Sequence, residues 1–377
     1  MKFVLFYQSF TSCWNHGNVH FLRGMARELV KAGHEVTVYE PADGWSRQNA
    51  LQDGGEEILH EAKTLVSGVR VKTYSPDRFV LDAALDRADV VLVHEWNDPS
   101  LVAEIGRRRI GENFLLLFHD THHRAVSAPD EISAYELENY DAVLAFGDVL
   151  REIYRRAGWG NRAVTWHESA DTALFRPLPR RPKETDLVWI GNWGDGERDK
   201  ELHEFLLDPA VKAGIGAKIY GVRYPDAARW ELAARGFEFG GWLPNHRVPE
   251  AFARARMTAH VPRRPYVEML PGIPTIRVFE ALACGIPLVS APWRDEESLF
   301  PGGAYLKVRN GEEAAAAFRL LAHDHDFAHA LAESGLHAIR ARHTCAHRVQ
   351  QLFGILNQLK LSCSASGRTG EAERVAG

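Results

Sequence analysis

GIPTIRVFEALACGIPLVSAPW, residues 272–293, decides how this chain is read. Pro274 suits the first turn of a helix, where its missing N–H is not needed, and Gly285 followed by Pro287 ends one. Between them Ile276, Phe279, Leu282 and Ala283 recur at helical spacing and form a buried stripe, while Arg277 and Glu280, three apart, share another face. The apolar run 286–290 then reads as a buried strand. A helix start reached through Gly272, Ile273, Pro274 and Thr275 presents free N–H groups and the positive end of the dipole, which suit a diphosphate. Arg277, one turn in, adds a phosphate contact. Glu280, deeper, can accept hydrogen bonds from two ribose hydroxyls, which no Lys or Arg can do. The alternative is a surface Arg277–Glu280 ion pair, worth about 0.3–0.5 kcal/mol on a helix.

Outward from this stretch, apolar runs alternate with amphipathic segments. Strands are expected over 3–7, 35–39, 90–94, 114–118 and 142–146, with a helix over 19–32. A second set lies over 187–190, 217–220, 258–261 and 288–290. This alternation is the signature of parallel, doubly wound α/β sheets, and two sets predict two Rossmann-like domains. A chain of 377 residues exceeds the size at which single cores usually divide. The expected boundaries are a first domain over 1–176, a second over 177–345 that opens with the linker PLPRRP, a helix over 346–360 returning toward the first domain, and a disordered tail over 361–377. In open α/β sheets ligands sit beyond the carboxyl ends of the strands, so the loops there should open into one cleft.

Net charge of −5 with 25% charged residues gives no nucleic-acid or membrane footprint. Four cysteines at positions 13, 284, 345 and 363 show no zinc spacing and read as free thiols of a cytoplasmic protein. The first ten residues are too short in apolar length for a signal peptide or membrane span, and no integral membrane segment is expected.

Several strand-end loops carry chemistry. The first, FTSCWNHGN, has Gly17 and Asn18 where backbone can approach a ligand, with His20 just beyond, but no G-x-G-x-x-G, which argues against a dinucleotide cofactor. HDTHHR places His119, Asp120 and two further imidazoles after a strand. Neighbouring loop positions rarely converge on one metal, so the expectation is no metal and no cofactor. Asp120 is a candidate base for an acceptor hydroxyl. HEWND, from His94, ends another strand of the same domain. In the second half Gly191, Asn192 and Trp193 let backbone N–H groups approach phosphates, and Arg198, then Lys200, can neutralise charge on a departing diphosphate. Arg223 with Tyr224, and Arg263, add cations at strand ends, and Glu268 is a candidate sugar contact.

With these residues in view, the chain resembles retaining GT-B glycosyltransferases, most closely the bacterial spore-maturation glycosyltransferase-like branch with its R-x-F-E-x-x-A-C-G pattern. The likeness extends to DLVWIGNWGDGERDKEL, YGVRYP, HESADTALFRP and HTCAHRVQQLFGIL. It implies transfer of a sugar from a nucleotide diphosphate-sugar donor to an acceptor hydroxyl on a glycan, a lipid-linked or a small molecule, without metal and with retention. It also implies that His119 lies near the transferred sugar and that Arg198 supports leaving-group departure. One departure stands out: the signature's first Glu falls on Gly272, with Glu268 the nearest upstream acid. A nucleotide-sugar epimerase-like enzyme and a non-catalytic nucleotide-sugar or carbohydrate-binding protein are the alternatives.

Overall fold

A computed structural model describes every residue except His16, Arg180, Ala376 and Gly377, with side chains described as far as Leu361. Arg180 of the expected linker and most of the expected tail's side chains therefore lie outside the described residues. Among the described residues the chain forms two parallel sheets. The first has β1 (Lys2–Phe6), β2 (Glu35–Pro41), β3 (Arg70–Tyr74), β4 (Val90–His94), β5 (Leu115–Asp120), β6 (Ala142–Ala145) and β7 (Ala163–Thr165), in the order β3-β2-β1-β4-β5-β6-β7. The second has β8 (Thr185–Ile190), β9 (Ala217–Tyr220), β10 (Glu238–Gly241), β11 (Ala255–His260), β12 (Leu288–Ser290) and β13 (Leu306–Lys307), in the order β10-β9-β8-β11-β12-β13.

The central strands are near-continuous apolar runs because helices cover both faces of each sheet. VVLVH of β4 and LLLFHD of β5 are buried along their whole length. Leu5, Leu92 and Leu117 face one core layer, while Val4, Val91 and Leu116 face the other. Each such side chain contributes about 1.5–3 kcal/mol by leaving water. Register brings His94 beside His119, so both imidazoles sit at the same sheet end. In the second sheet His260 pairs with Ser290 at the corresponding end.

The last helix, Cys345–Val375, packs Val349, Leu352, Leu356 and Leu359 into the core of the first domain, beside the helix Val19–Lys31. Its backbone stays helical past Leu361, where composition alone predicted a disordered tail, since extending a helix costs little once it is nucleated. Leu270 and Ile273, from the second half of the chain, are buried in a core cluster of the first domain, so the two domains share apolar contact as well as facing each other. Among the described residues no helix is long and apolar enough to cross a membrane.

Candidate functional site

The deciding helix runs Ile276–Cys284. Thr275 is its N-cap and Gly285, with φ +64°, ends it in the left-handed conformation that favours glycine. Pro274 therefore stands outside the helix instead of in its first turn. Thr275 places no side-chain hydrogen bond on the first N–H groups. Its Oγ1 instead meets His260 Nε2 at 3.0 Å, and His260 Nδ1 meets Ser290 Oγ at 2.8 Å. Burial, then the nearby Arg198 and Arg277, pushes His260 down to about 3, so this ring is a neutral strut that fixes the N-cap.

The helix start opens into a cleft of about 500 Å³ between the domains. On the first-domain side Asn15, Gly17, Asn18, Trp45, Trp96, Thr121, His122, His123 and Glu168 line it. On the second-domain side the lining includes Gly191, Asn192, Arg198, Arg223, His260, Arg263, Tyr266, Thr275 and Arg277. A side branch of about 80 Å³ shares Gly17, Gly191, Asn192 and Arg277 and continues to Gly221, Val222, Trp242 and Leu243.

The cationic wall is fixed by its own contacts. Arg198 donates to Asn192 O at 2.8 Å and Val261 O at 3.2 Å and lies 5.0 Å from the Trp189 ring centroid. Its buried Nε has no hydrogen-bond partner among the described residues. Burial, then Arg263, lowers Arg198 to about 10, which leaves it cationic at neutral pH. Arg263 donates to Gly194 O at 3.1 Å and pairs with Glu197 at 2.5 Å and Asp195 at 3.1 Å. Arg223 adopts a positive φ of 58° at the mouth and is about half exposed. Tyr224 is buried and donates to Gly191 O at 3.0 Å, supporting the Gly191 turn from behind.

Glu280 lies behind this wall. It is fully buried, with Arg277, Asn245 Nδ2 at 3.0 Å and His20 Nδ1 at 3.1 Å on its carboxylate. Burial works against its charge, but Arg277, His20 and Asn245 together hold its carboxyl below the ordinary range. The Arg277–Glu280 pair is thus no surface ion pair. Nor does Glu280 line the cleft where a ribose contact was expected, because protein donors already occupy its oxygens.

His119 and Asp120 are also beneath the cleft and do not line it. The His119 ring packs against Trp166 with centroids 4.9 Å apart, and neither ring nitrogen has a hydrogen-bond partner among the described residues. Burial drives it down to about 3, so it stays neutral. Asp120 accepts from His122 N at 2.9 Å and Tyr154 Oη at 2.8 Å, and burial raises its carboxyl. The residues just beyond them, Thr121, His122 and His123, are the ones that reach the cleft. Among the described residues no group of three or more His, Cys, Asp and Glu is placed to hold a metal.

Of the other sequence candidates, Gly17, Asn18, Gly191, Asn192, Thr275 and Arg277 line the cleft. Lys200 and Glu268 are exposed and outside it, and Trp193 packs on His203 and Tyr224. Gly272, with φ +94°, serves the domain interface: a Cβ there would lie 3.0 Å from Glu297 Cγ. Ile273 is buried beside it, and neither reaches the cleft. From HEWND, which the sequence offered without a single residue picked out, Trp96 lines the cleft; sequence reasoning missed Glu168, Trp189, His260 and Tyr266. His260 alone carried a signal, as a polar end to an apolar strand.

Among the described residues, four imidazole–carboxylate contacts join the domains around this cleft: His20–Glu280 at 3.1 Å, His123–Glu197 at 3.8 Å, His167–Glu297 at 2.9 Å and His246–Glu61 at 2.7 Å. Glu297 also accepts from Asp148 N at 2.8 Å, at the start of the helix Asp148–Ala157. Glycines permit close approach of the domains: a Cβ at Gly147 would lie 2.3 Å from Ile273 Cγ1, and one at Gly17 would lie 2.8 Å from Ile276 Cγ2.

Comparison with known proteins agrees with this architecture. Residues 17–174 match the family model described as Glycosyltransferase Family 4, and residues 198–354 match one described as Glycosyl transferase-like. No curated protein sequence matches the chain. Among solved structures, sucrose-phosphate synthase from Thermosynechococcus elongatus superposes with a TM-score of 0.65 at 14% identity, covering 96% of this chain and 99% of that one. The Anabaena protein Alr3699/HepE, solved in complex with UDP and glucose, gives 0.65 at 14% identity over 95% of this chain and 99% of its own. A glycosyltransferase from Rickettsia africae ESF-5 gives 0.65 at 10% identity over 95% and 98%. With its first half matching glycosyltransferase family 4, its second half matching the glycosyl transferase-like model, and its two Rossmann-like domains facing across one cleft, the chain belongs to the GT-B glycosyltransferases.

Proposed function

We propose that this glycosyltransferase takes its sugar from a nucleoside diphosphate-sugar and passes it, with retention and without a bound metal, to an acceptor hydroxyl. The observation that carries the donor reading is one wall of the cleft. There the free N-terminus of the helix Ile276–Cys284, the Gly191–Asn192 turn and the Arg198, Arg263 and Arg277 side chains converge. Backbone donors and fixed guanidinium groups of this kind suit a diphosphate, because the partial and full positive charges are already in place when the leaving group develops its charge. The side branch past Gly221 and Trp242 offers apolar walls for a nucleoside. Arg198 is the residue nearest to a leaving-group role, since its charge is held by carbonyl acceptors and its Nε is unpartnered. These cations support departure without metal. Retention rests on the resemblance to retaining GT-B enzymes. Closure of the cleft excludes water that would otherwise hydrolyse the donor.

The test is a panel of nucleoside diphosphates and their sugars, read by thermal stabilisation and then by nucleoside diphosphate release with candidate acceptors, with and without chelator. A ligand at about a hundred times its dissociation constant adds about 2.7 kcal/mol. Stabilisation by one base class, lost in Arg277→Ala, and chelator-resistant turnover are expected. No stabilisation of the folded protein by any nucleotide contradicts the donor reading, and turnover that chelator abolishes contradicts the metal-free one.

A further inference from the structure

Glu168 is a carboxyl group without an evident structural task. Its side chain lines the first-domain wall of the cleft, yet the residue is only 4% exposed, and its Oε1 is buried with no hydrogen-bond partner among the described residues. A buried polar group left unsatisfied is costly, and native proteins retain one where something else satisfies it. Its backbone is pinned on both sides. Arg348 Nε donates to the Glu168 carbonyl at 3.2 Å, His167 Nδ1 meets Phe146 O at 2.9 Å, and Ala170 N donates to His343 O at 2.9 Å. The carboxyl is therefore held at a fixed place on the wall.

Its surroundings also set its protonation. Burial, then the Glu280 and Glu95 carboxylates, raises Glu168 well above the ordinary carboxylate range. A diphosphate in the cleft adds negative charge and pushes the same way. A neutral carboxyl offers one O–H donor and one carbonyl acceptor side by side, which matches a pair of sugar hydroxyls. The layout of the cleft points the sugar here: with the diphosphate at the helix start and the nucleoside in the side branch, what remains faces Thr121, His123, Glu168 and Tyr266.

We infer that Glu168 is the specificity-determining residue for the sugar of the donor, its buried carboxyl exchanging hydrogen bonds with two of that sugar's hydroxyls. This rests on the donor reading above. Calorimetry on wild type, Glu168→Ala and Glu168→Gln, with the nucleoside diphosphate, its nucleotide-sugar and the epimeric nucleotide-sugar, tests it, with thermal melting as a check on folding. Glu168→Ala is expected to bind the nucleoside diphosphate as wild type does, to bind the nucleotide-sugar about ten-fold more weakly, the worth of one to two hydrogen bonds, and to lose discrimination between epimers. Glu168→Gln, which still presents a donor and an acceptor, is expected to keep most of both. An unchanged sugar preference in a folded Glu168→Ala protein overturns the assignment. So does a Glu168→Gln protein that binds both ligands normally but no longer turns over, because that result makes the carboxylate a base. A wild type that binds no nucleotide overturns the donor reading itself, which is a separate result.

Discussion

The two walls of the cleft are built from the same kinds of strand-end loop but carry opposite electrostatics. On the first-domain wall, burial works against charge: His123 is lowered and Glu168 is raised, and beneath them His119 is lowered and Glu95 and Asp120 are raised. On the second-domain wall, Arg198, Arg263 and Arg277 keep their charge because carbonyls and carboxylates hold each guanidinium. A neutral, hydrogen-bonding wall suits sugar hydroxyls, and a fixed cationic wall suits phosphates. The difference teaches that burial alone does not make a charged site: partners decide which groups stay ionised.

The comparison breaks most severely at Glu280. Glu280→Ala leaves Arg277 and His20 without their carboxylate inside the domain interface, and losing one partner of a buried pair costs about 3–5 kcal/mol. Urea denaturation checks this, and a loss below about 1 kcal/mol would mean that the pair is not what holds Arg277. Next comes Arg198→Ala. It removes charge from the cationic wall, and the turnover number should fall by about 10²–10³ if that charge acts on the leaving group. A loss confined to KM would place Arg198 in ground-state binding instead.

Gly17→Ala probes the contact between the walls. Its Cβ would meet Ile276 Cγ2 at 2.8 Å, so closure is hindered and KM and turnover number should worsen together while the melting temperature barely moves. The smallest effect is expected at His119, the residue that sequence reading favoured. His119→Leu removes two unpartnered nitrogens and should change turnover by no more than about three-fold, under 1 kcal/mol. It should also flatten the acid side of the stability curve. The folded protein holds His119 near 3, so between that value and its ordinary 6.5 the unfolded chain binds the extra proton, and stability falls as pH falls. Removing the ring removes about 1.4 kcal/mol per pH unit of that slope, measurable by denaturation at pH 6 and 5.

The central strands were legible because they are apolar runs buried on both faces, and β4, β9 and β12 fall on the residues expected. The four strands that the reading did not find, β3, β7, β10 and β13, are the four sheet edges. They are short or half-exposed, with sequences such as RVKTY and EFGG, so the hydrophobic signal that marks a strand is missing from them. That a helix start and its nearby cations line the cleft was legible for a related reason, since both are encoded locally. The other wall was not. Which of His119, Asp120, Thr121, His122 and His123 faces the cleft depends on where the strand ends and on what packs beneath it, and Trp166 and Tyr154, far along the chain, decide that. Glu168 gained its place from the domain interface, which no local pattern describes.

The most direct measurement is a crystal structure with a bound nucleoside diphosphate. The two-wall account predicts phosphate oxygens within hydrogen-bonding distance of the N–H groups that open the helix Ile276–Cys284 and of Arg198, with the first-domain wall left to the sugar. Phosphates seated instead against Thr121, His123 and Glu168, or outside the cleft, would contradict it.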